Sequence, residues 1–439
     1  MTAPPPGRPS LLFLTPILPA ETGNGLAMRA GVFLDALARD YDVTLLIIPL
    51  AGQASRITPF VTQRTQRIVT LDIQANLDPL WALCERLIDP EKRADALVAY
   101  PRPALCRYAT TPSLLAARQA LEGQSFQRIH VMRSYLAAYA APFLRTDMGT
   151  RLPLSSIDMD DDECVPQRRI AELCSANNQT GDARFAAAEA IKYTRYEAEW
   201  LPRFQTIITC ATPHAEKIAA QYPAWRSAVV PNTVNAPSTT SARLLPFGKH
   251  ILFVGNLSYL PNVDGIRHFV AEILPRLRAC LGKGVTLRIA GSAPTEEIAG
   301  LVTLSGIELI ANPADMARHY RWADLAVIPL RAGGGTRIKL LEAFAHGVPV
   351  VSTHVGAEGI AVKDRQHLLL ADTPEAFASA CAAILDDASL ARRLKKCARR
   401  LVEEHYSHAV GVNRIRAALA PESVESGNCG PHPADAPNE

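Results

Sequence analysis

The 439-residue sequence predicts an α/β protein of two domains, each built on a parallel sheet with helices on both faces. Three observations predict it. Short, almost uninterrupted apolar runs alternate with longer amphipathic segments, and strands without polar positions belong to sheets buried on both faces. The chain is too long for one ordinary hydrophobic core. Residues 234–248, VNAPSTTSARLLPFG, shift in composition to Ser, Thr and Pro as a linker does, and after them the alternation restarts.

Composition narrows the function classes. An apolar fraction of 48% with 20% charged residues describes a soluble globular chain. A formal net charge of +3, without a basic run carrying aromatics, gives no reason to expect nucleic acid. The nine cysteines are scattered, with no C-x-x-C pair and no Cys/His spacing for zinc, so no metal is expected and the thiols read as reduced core residues of a cytoplasmic chain. No apolar stretch approaches the ~20 residues of a membrane helix. The run at 11–18 is short, contains Pro16 and reads as a first core strand, not as a secretory signal.

In chain order, residues 11–15 form that strand. A loop containing Gly23, Asn24 and Gly25 leads into a helix at 26–39, with Ala30, Phe33, Leu34 and Leu37 on its buried face. Strands follow at 41–49 and 67–73. The glycines give G-x-G without a third, so a dinucleotide fingerprint is not met and a dehydrogenase is the least favoured reading. Residues 74–125 have a helical texture, with Trp81, Leu83 and Leu87 expected inside. Strands at 128–132 and 152–157 come next. The first contains His130, expected to be a core histidine, and leads into Arg133. The second leads into Asp158-Met159-Asp160-Asp161-Asp162-Glu163, five carboxylates in six residues. Open α/β sheets bind ligands at strand C-termini, which makes Arg133 and Asp161 the candidate catalytic residues. A solvated acidic turn is the competing expectation. A helix at 184–204, a strand at 205–210, a helix at 213–222 and a strand at 227–231 complete this half.

The second half opens with a strand at 250–254, the turn Gly255-Asn256 and a helix to about 280 that Pro275 should interrupt. Strands follow at 285–290 and 307–310. Then comes the densest unit of the chain, residues 322–358: an apolar strand at 325–330, glycines 333 to 335, a helix opened by Thr336, and a strand at 348–352. A glycine loop entering a helix presents free backbone N–H groups to an anion. Arg337 and Lys339 stand in the first turn, where the helix dipole disfavours cations by a few tenths to about 1 kcal/mol each. A phosphate group opposite them would offset this. Helices at 374 onward, from 390 with Leu390, Leu394, Cys397 and Leu401 on one face, and at 410–419 close the chain. Two Rossmann-like domains facing each other across a cleft are the economical arrangement.

The stretch GGGTRIKLLEAFAHGVPVVSTHVGAEGI closely resembles the donor-binding motif of the family-4 retaining glycosyltransferases. GNLSYLPNVDGIRHF resembles the first loop and helix of their C-terminal domain, DMDDDE an acidic motif of one subgroup, and VVPNTV the stretch before their linker. The resemblance implies the GT-B fold and transfer of a sugar from a UDP- or GDP-sugar to an acceptor hydroxyl with retention. It further implies polysaccharide or glycoconjugate synthesis on a glycan or lipid-linked acceptor. The nucleotide-sugar is then a co-substrate, and no cofactor is implied. By position Glu342 would bind the ribose hydroxyls, and the N–H groups of Gly334, Gly335 and Thr336 would face the diphosphate. Gly23, Asn24 and Gly25 would close over phosphates and acceptor, with Asn256 a further donor contact. Glu342 could instead pair with Lys339 or His346 at helical spacing.

The sequence departs from the family in two places. Where the common pattern has two glutamates separated by seven residues, the first position is Gly334; that glutamate usually contacts the donor sugar. The first loop, 255–260, also lacks the arginine and lysine that often bind diphosphate, and Arg337 with Lys339 are expected to supply that charge. No side chain reads as a dedicated base, which suits a route in which the donor's phosphate takes the acceptor proton. A nucleotide-sugar-binding protein without turnover and a nucleotide-sugar epimerase are the alternatives.

The expected organisation is a disordered start at 1–9, an acceptor domain at 10–235, a linker at 236–248, a nucleotide-sugar domain at 249–405, a C-terminal helix at 406–420 crossing back to the first domain, and a disordered tail at 421–439. A cytoplasmic location is expected, free or at the inner membrane face, where Arg64, Arg67, Arg86, Lys92, Arg93 and Trp81 could make peripheral contact.

Overall fold

The computed structural model describes residues 7–51, 56–144, 152–237, 249–334 and 337–420. Gly335, Thr336, most of the expected linker and the expected C-terminal tail lie outside them. The first half forms a seven-stranded sheet from β1 (Ser10–Thr15), β2 (Asp42–Ile47), β3 (Arg67–Thr70), β4 (Arg128–Met132), β5 (Leu154–Asp160), β6 (Thr206–Thr209) and β7 (Arg226–Val229), in the order β3-β2-β1-β4-β5-β6-β7. The second forms a six-stranded sheet from β8 (His250–Asn256), β9 (Thr286–Ser292), β10 (Ile307–Ala311), β11 (Leu325–Ile328), β12 (Val350–Ser352) and β13 (Leu369–Leu370), ordered β10-β9-β8-β11-β12-β13. Every named pairing is parallel. Apolar cores line both faces of both sheets, which is why strands such as β1 and β11 read as almost unbroken apolar runs.

The strand order reverses between β1 and β4 in one sheet and between β8 and β11 in the other. The loops leaving those four strands therefore flank the two crevices where open α/β sheets bind ligands. Gly23–Gly25 follow β1, Arg133 follows β4, Asn256 ends β8, and the glycine loop follows β11.

The chain crosses between the halves twice, and the crossings touch: Val234 N donates to Tyr406 O at 2.9 Å. The helix His408–Leu419 then packs on Gly25–Asp40 of the first half, where Arg416 holds Asp40 at 2.7 and 2.8 Å and His408 meets Asp35 at 3.1 Å. The helix His408–Leu419 and the first crevice are thereby tied to one helix.

Several local expectations change. Trp81 is buried, but Leu83 is 61% exposed and Leu87 is also on the surface, because the short helix Pro79–Glu85 buries only Trp81 and Cys84. The interruption foreseen at Pro275 is a π-helical turn, Phe269–Ile273, joining Leu260–His268 to Leu274–Leu281; Pro275 sits in the first turn of the latter, where its missing N–H costs nothing. The helix Cys164–Ala176, directly after the acidic run, has no counterpart in the sequence reading. Residues 7–9 are held, with Asp42 N donating to Pro9 O at 3.0 Å. Of the residues proposed for membrane contact, Arg64 is bound to Asp35 at 2.7 Å and Trp81 is internal. Among the described residues, no helix is long and apolar enough to cross a membrane.

Candidate donor-binding site

The helix after the glycine loop begins at Ile338, with Arg337 as its N-cap residue. Gly333 has φ +108°, a conformation that requires glycine. Arg337 is only 6% exposed; its Nε donates to Val355 O at 3.1 Å and Nη1 to Gly334 O, while Nη2 is buried without a hydrogen-bond partner. Lys339 Nζ donates to Asn262 Oδ1 at 2.6 Å and lies 5.0 Å from the Phe253 ring centre. Neither cation forms an ion pair with a carboxylate among the described residues. Burial pulls the Arg337 guanidinium below its ordinary value. Burial and the neighbouring Arg337 bring Lys339 down to about 7. A buried and a half-buried cation side by side at a helix N-terminus are costly unless an anion joins them.

Glu342, one helical turn on, accepts from the Tyr320 hydroxyl at 2.9 Å, and the Tyr320 ring stacks on His346 at 4.8 Å. Burial pushes its carboxyl up, against the Tyr320 hydrogen bond and the charge of Lys339. It thus pairs with neither residue considered at helical spacing. Asn256 caps its own turn, accepting from Ser258 N at 3.0 Å and Ser258 Oγ at 2.8 Å. Asn24 caps the helix Gly25–Asp40 by accepting from Leu26 N at 2.8 Å. A Cβ on Gly25 would stand 2.5 Å from Ile338 Cδ1, so the two helix starts meet across the cleft.

The acidic run is a buried ion network, not a solvated turn. Arg29 grips Asp158 at 2.6 and 2.7 Å, with Asp158 fully buried. Arg133, at φ +76°, spans Asp160 and Glu163, both at 2.7 Å, and Lys217 pairs with Asp162. Arg133 is therefore occupied by carboxylates, which hold its guanidinium well above its ordinary value despite burial. Asp161 forms no ion pair among the described residues. Burial and the charges of Asp160 and Glu163 push its carboxyl up to about 6. Its Oδ2 lies 2.5 Å from where a Cβ on Gly334 would stand. His130 is a core histidine: it is fully buried, bonded to Ser156 Oγ at 2.8 Å and stacked on Phe33, and burial lowers it to about 3.

Two residues absent from the sequence reading complete the cleft. Arg169 reaches over to Glu358, with Nη2–Oε1 at 2.9 Å, and to Gly333 O at 3.0 Å. Tyr259, in the first loop of the second half, feels the charges of Arg337, Glu163, Asp161 and Arg133, and burial raises its phenol. Their only sequence signal was position: Tyr259 lies in the loop after β8, Arg169 in the helix after the acidic run.

Two parallel-sheet Rossmann-like domains with their switch-point loops turned to a shared cleft define the GT-B class. Residues 248–387 match the family described as "Glycosyl transferases group 1". The chain is similar to the phosphatidyl-myo-inositol mannosyltransferase of Mycobacterium leprae, 31% identical over 174 residues, which are 37% of this chain and 46% of that protein. It spans less than half the length of the curated relatives it matches, from 18% to 46%. In fold it resembles sucrose-phosphate synthase of Thermosynechococcus elongatus, with TM-score 0.61, 18% identity and 93% and 98% of the two chains covered. It also resembles Anabaena HepE, solved with UDP and glucose, with TM-score 0.59, 12% identity and 94% and 99% covered.

Proposed function

We propose that this protein is a retaining glycosyltransferase that moves a sugar from a nucleotide-sugar to an acceptor hydroxyl. One observation carries the reading: buried Arg337 and half-buried Lys339 stand together at the start of the helix Ile338–Ala345 with no carboxylate partner among the described residues, and Arg337 Nη2 is unsatisfied. A diphosphate is the anion that such a pair fits. As the sugar–phosphate bond breaks, charge grows on the leaving nucleoside diphosphate, and fixed cations stabilise it most at that moment. Glu342, one turn further along, is assigned to the ribose hydroxyls in this reading. Support comes from the matched group 1 domain and from HepE, whose structure holds UDP and glucose. Of the acidic run, Asp158, Asp160, Asp162 and Glu163 are held by cations and Asp161 alone is not, among the described residues; the route proposed is still proton removal by the donor's own phosphate, with Asp161 in another role.

The test is a thermal-shift screen against UDP-, GDP- and ADP-sugars, followed by assay of nucleoside diphosphate release. A ligand at 100 times its Kd should stabilise the fold by about 2.7 kcal/mol. No stabilisation by any nucleotide would end the reading. Tight binding without release on any acceptor would favour a binding protein.

A further inference from the structure

We infer that Asp161 is the residue that recognises the transferred sugar, its carboxylate reaching across the cleft from the N-terminal half to accept hydroxyl hydrogen bonds beside Gly334. The inference rests on the nucleotide-sugar reading above and goes one group further along the donor.

The first ground is space. Gly334 is not among the residues with positive φ, so its backbone would accept a side chain. What excludes one is the opposite half: Asp161 Oδ2 at 2.5 Å and the Pro166 ring at 2.9 Å from the Cβ position. The glycine is there so that these two residues can approach. A carboxylate from one half thereby fills the side-chain position of the other half's glycine loop.

The second ground is company. The other four carboxylates of the run each have a cation: Arg29 for Asp158, Arg133 for Asp160 and Glu163, Lys217 for Asp162. Asp161 has none among the described residues, although Asp160 and Glu163 beside it disfavour its charge. A carboxylate kept in such surroundings at a cleft is a functional candidate.

The third ground is direction. Arg337 and Tyr259 from the other half, with Arg169 from the following helix, face Asp161 closely enough to feel its charge. If Arg337 holds the diphosphate, the next group along the donor is the sugar ring. A carboxylate repels phosphate but accepts bonds from two neighbouring hydroxyls. Sugar recognition would then be complete only with the halves closed, since its two sides come from different domains.

Calorimetry on the full chain separates the possibilities, using a nucleoside diphosphate and its sugar-bearing form with wild type, Asp161→Asn and Asp161→Ala. The expected result is diphosphate affinity within about twofold of wild type and nucleotide-sugar affinity at least about tenfold weaker, as for the loss of a hydrogen bond to a charged group. The extra affinity from the sugar should also fade in wild type as pH falls from 7.5 to 5.5, through about 6, and stay flat in Asp161→Asn. The groups facing Asp161 that could share this response are Asp160, Glu163, Arg133, Tyr259, Arg337 and Arg169. The flat Asn profile is what assigns it to Asp161. Equal weakening of both ligands, or of neither, would overturn the assignment. Wild-type protein that binds no nucleoside diphosphate would overturn the nucleotide reading and this assignment with it. Both variants remove a like charge from an acidic cluster, so thermal melting should show them folded.

Discussion

The Tyr320 hydroxyl donates to Glu342 Oε2 at 2.9 Å while its ring lies flat on His346, 4.8 Å between centres and 8° from parallel. Glu342 is thus oriented by a residue from the preceding helix, Ala317–Trp322, and not by its neighbours at helical spacing. A carboxylate pinned through one oxygen presents the other in a fixed direction. If that direction is the ribose, Glu342→Ala should abolish the preference for ribo- over 2′-deoxyribonucleoside diphosphates. Tyr320→Phe should reduce it, by up to the roughly 1.5–3 kcal/mol of a hydrogen bond to a charged group. Paired titrations with the two nucleotides measure this; an unchanged preference in Glu342→Ala would remove Glu342 from the ribose.

Lys339 should make nucleotide binding depend on pH. Free, it loses its proton near pH 7; beside a bound diphosphate it should hold the proton to higher pH. Affinity is therefore full below pH 7 and falls as pH rises above it, with proton uptake on binding at pH 8. Calorimetry in buffers of differing ionisation enthalpy reads the uptake directly, and Lys339→Met should show none.

The same lysine should cost the unliganded protein stability. Its folded value lies below the unfolded one, so the unfolded chain binds more protons between pH 7 and about 10, and this group's contribution to stability rises with pH across that window. Lys339→Met should raise the Tm at pH 7 while weakening stabilisation by nucleotides. A lower Tm would show that the Asn262 hydrogen bond outweighs the burial of charge.

Gly334 and Gly25 both meet the opposite half, but their replacement should differ. Gly334→Ala puts a methyl against a carboxylate oxygen and a proline ring, whereas Gly25→Ala meets only the end of the Ile338 side chain, which can rotate away. Gly334→Ala should hold the halves apart, with a larger radius of gyration in solution scattering and loss of turnover at near-normal Tm. Gly25→Ala should leave both nearly unchanged.

Asp158→Asn should be the most destabilising of these changes. It leaves Arg29 buried with half its bidentate partner lost, and breaking a buried pair costs about 3–5 kcal/mol. Chemical denaturation measures it; a loss below about 1 kcal/mol would mean that Asp160, 3.6 Å from Arg29, takes over the charge.

Much of this protein was legible in the sequence because the determinants are local. The short, largely apolar runs at 11–15, 128–132, 250–254 and 325–330 read as strands buried on both faces, and strands stand there. The glycines before Arg337 and Lys339 made an anion site the expectation by backbone and dipole physics alone. The acidic run announced a strand end but not its state, because Arg29, Arg133 and Lys217, which turn it into a buried network, come from three other elements. Leu83 misled for a related reason: helical periodicity says that a face is apolar, not that anything covers it.

The sequence by itself determined the two parallel sheets and the cation pair at the glycine loop, since each follows from the order of neighbouring residues. Tertiary structure alone decided what faces that loop. Contacts between residues more than a hundred positions apart, such as Asp161 against Gly334 or Arg169 against Glu358, depend on how two finished domains meet, and no period or spacing along the chain encodes that meeting.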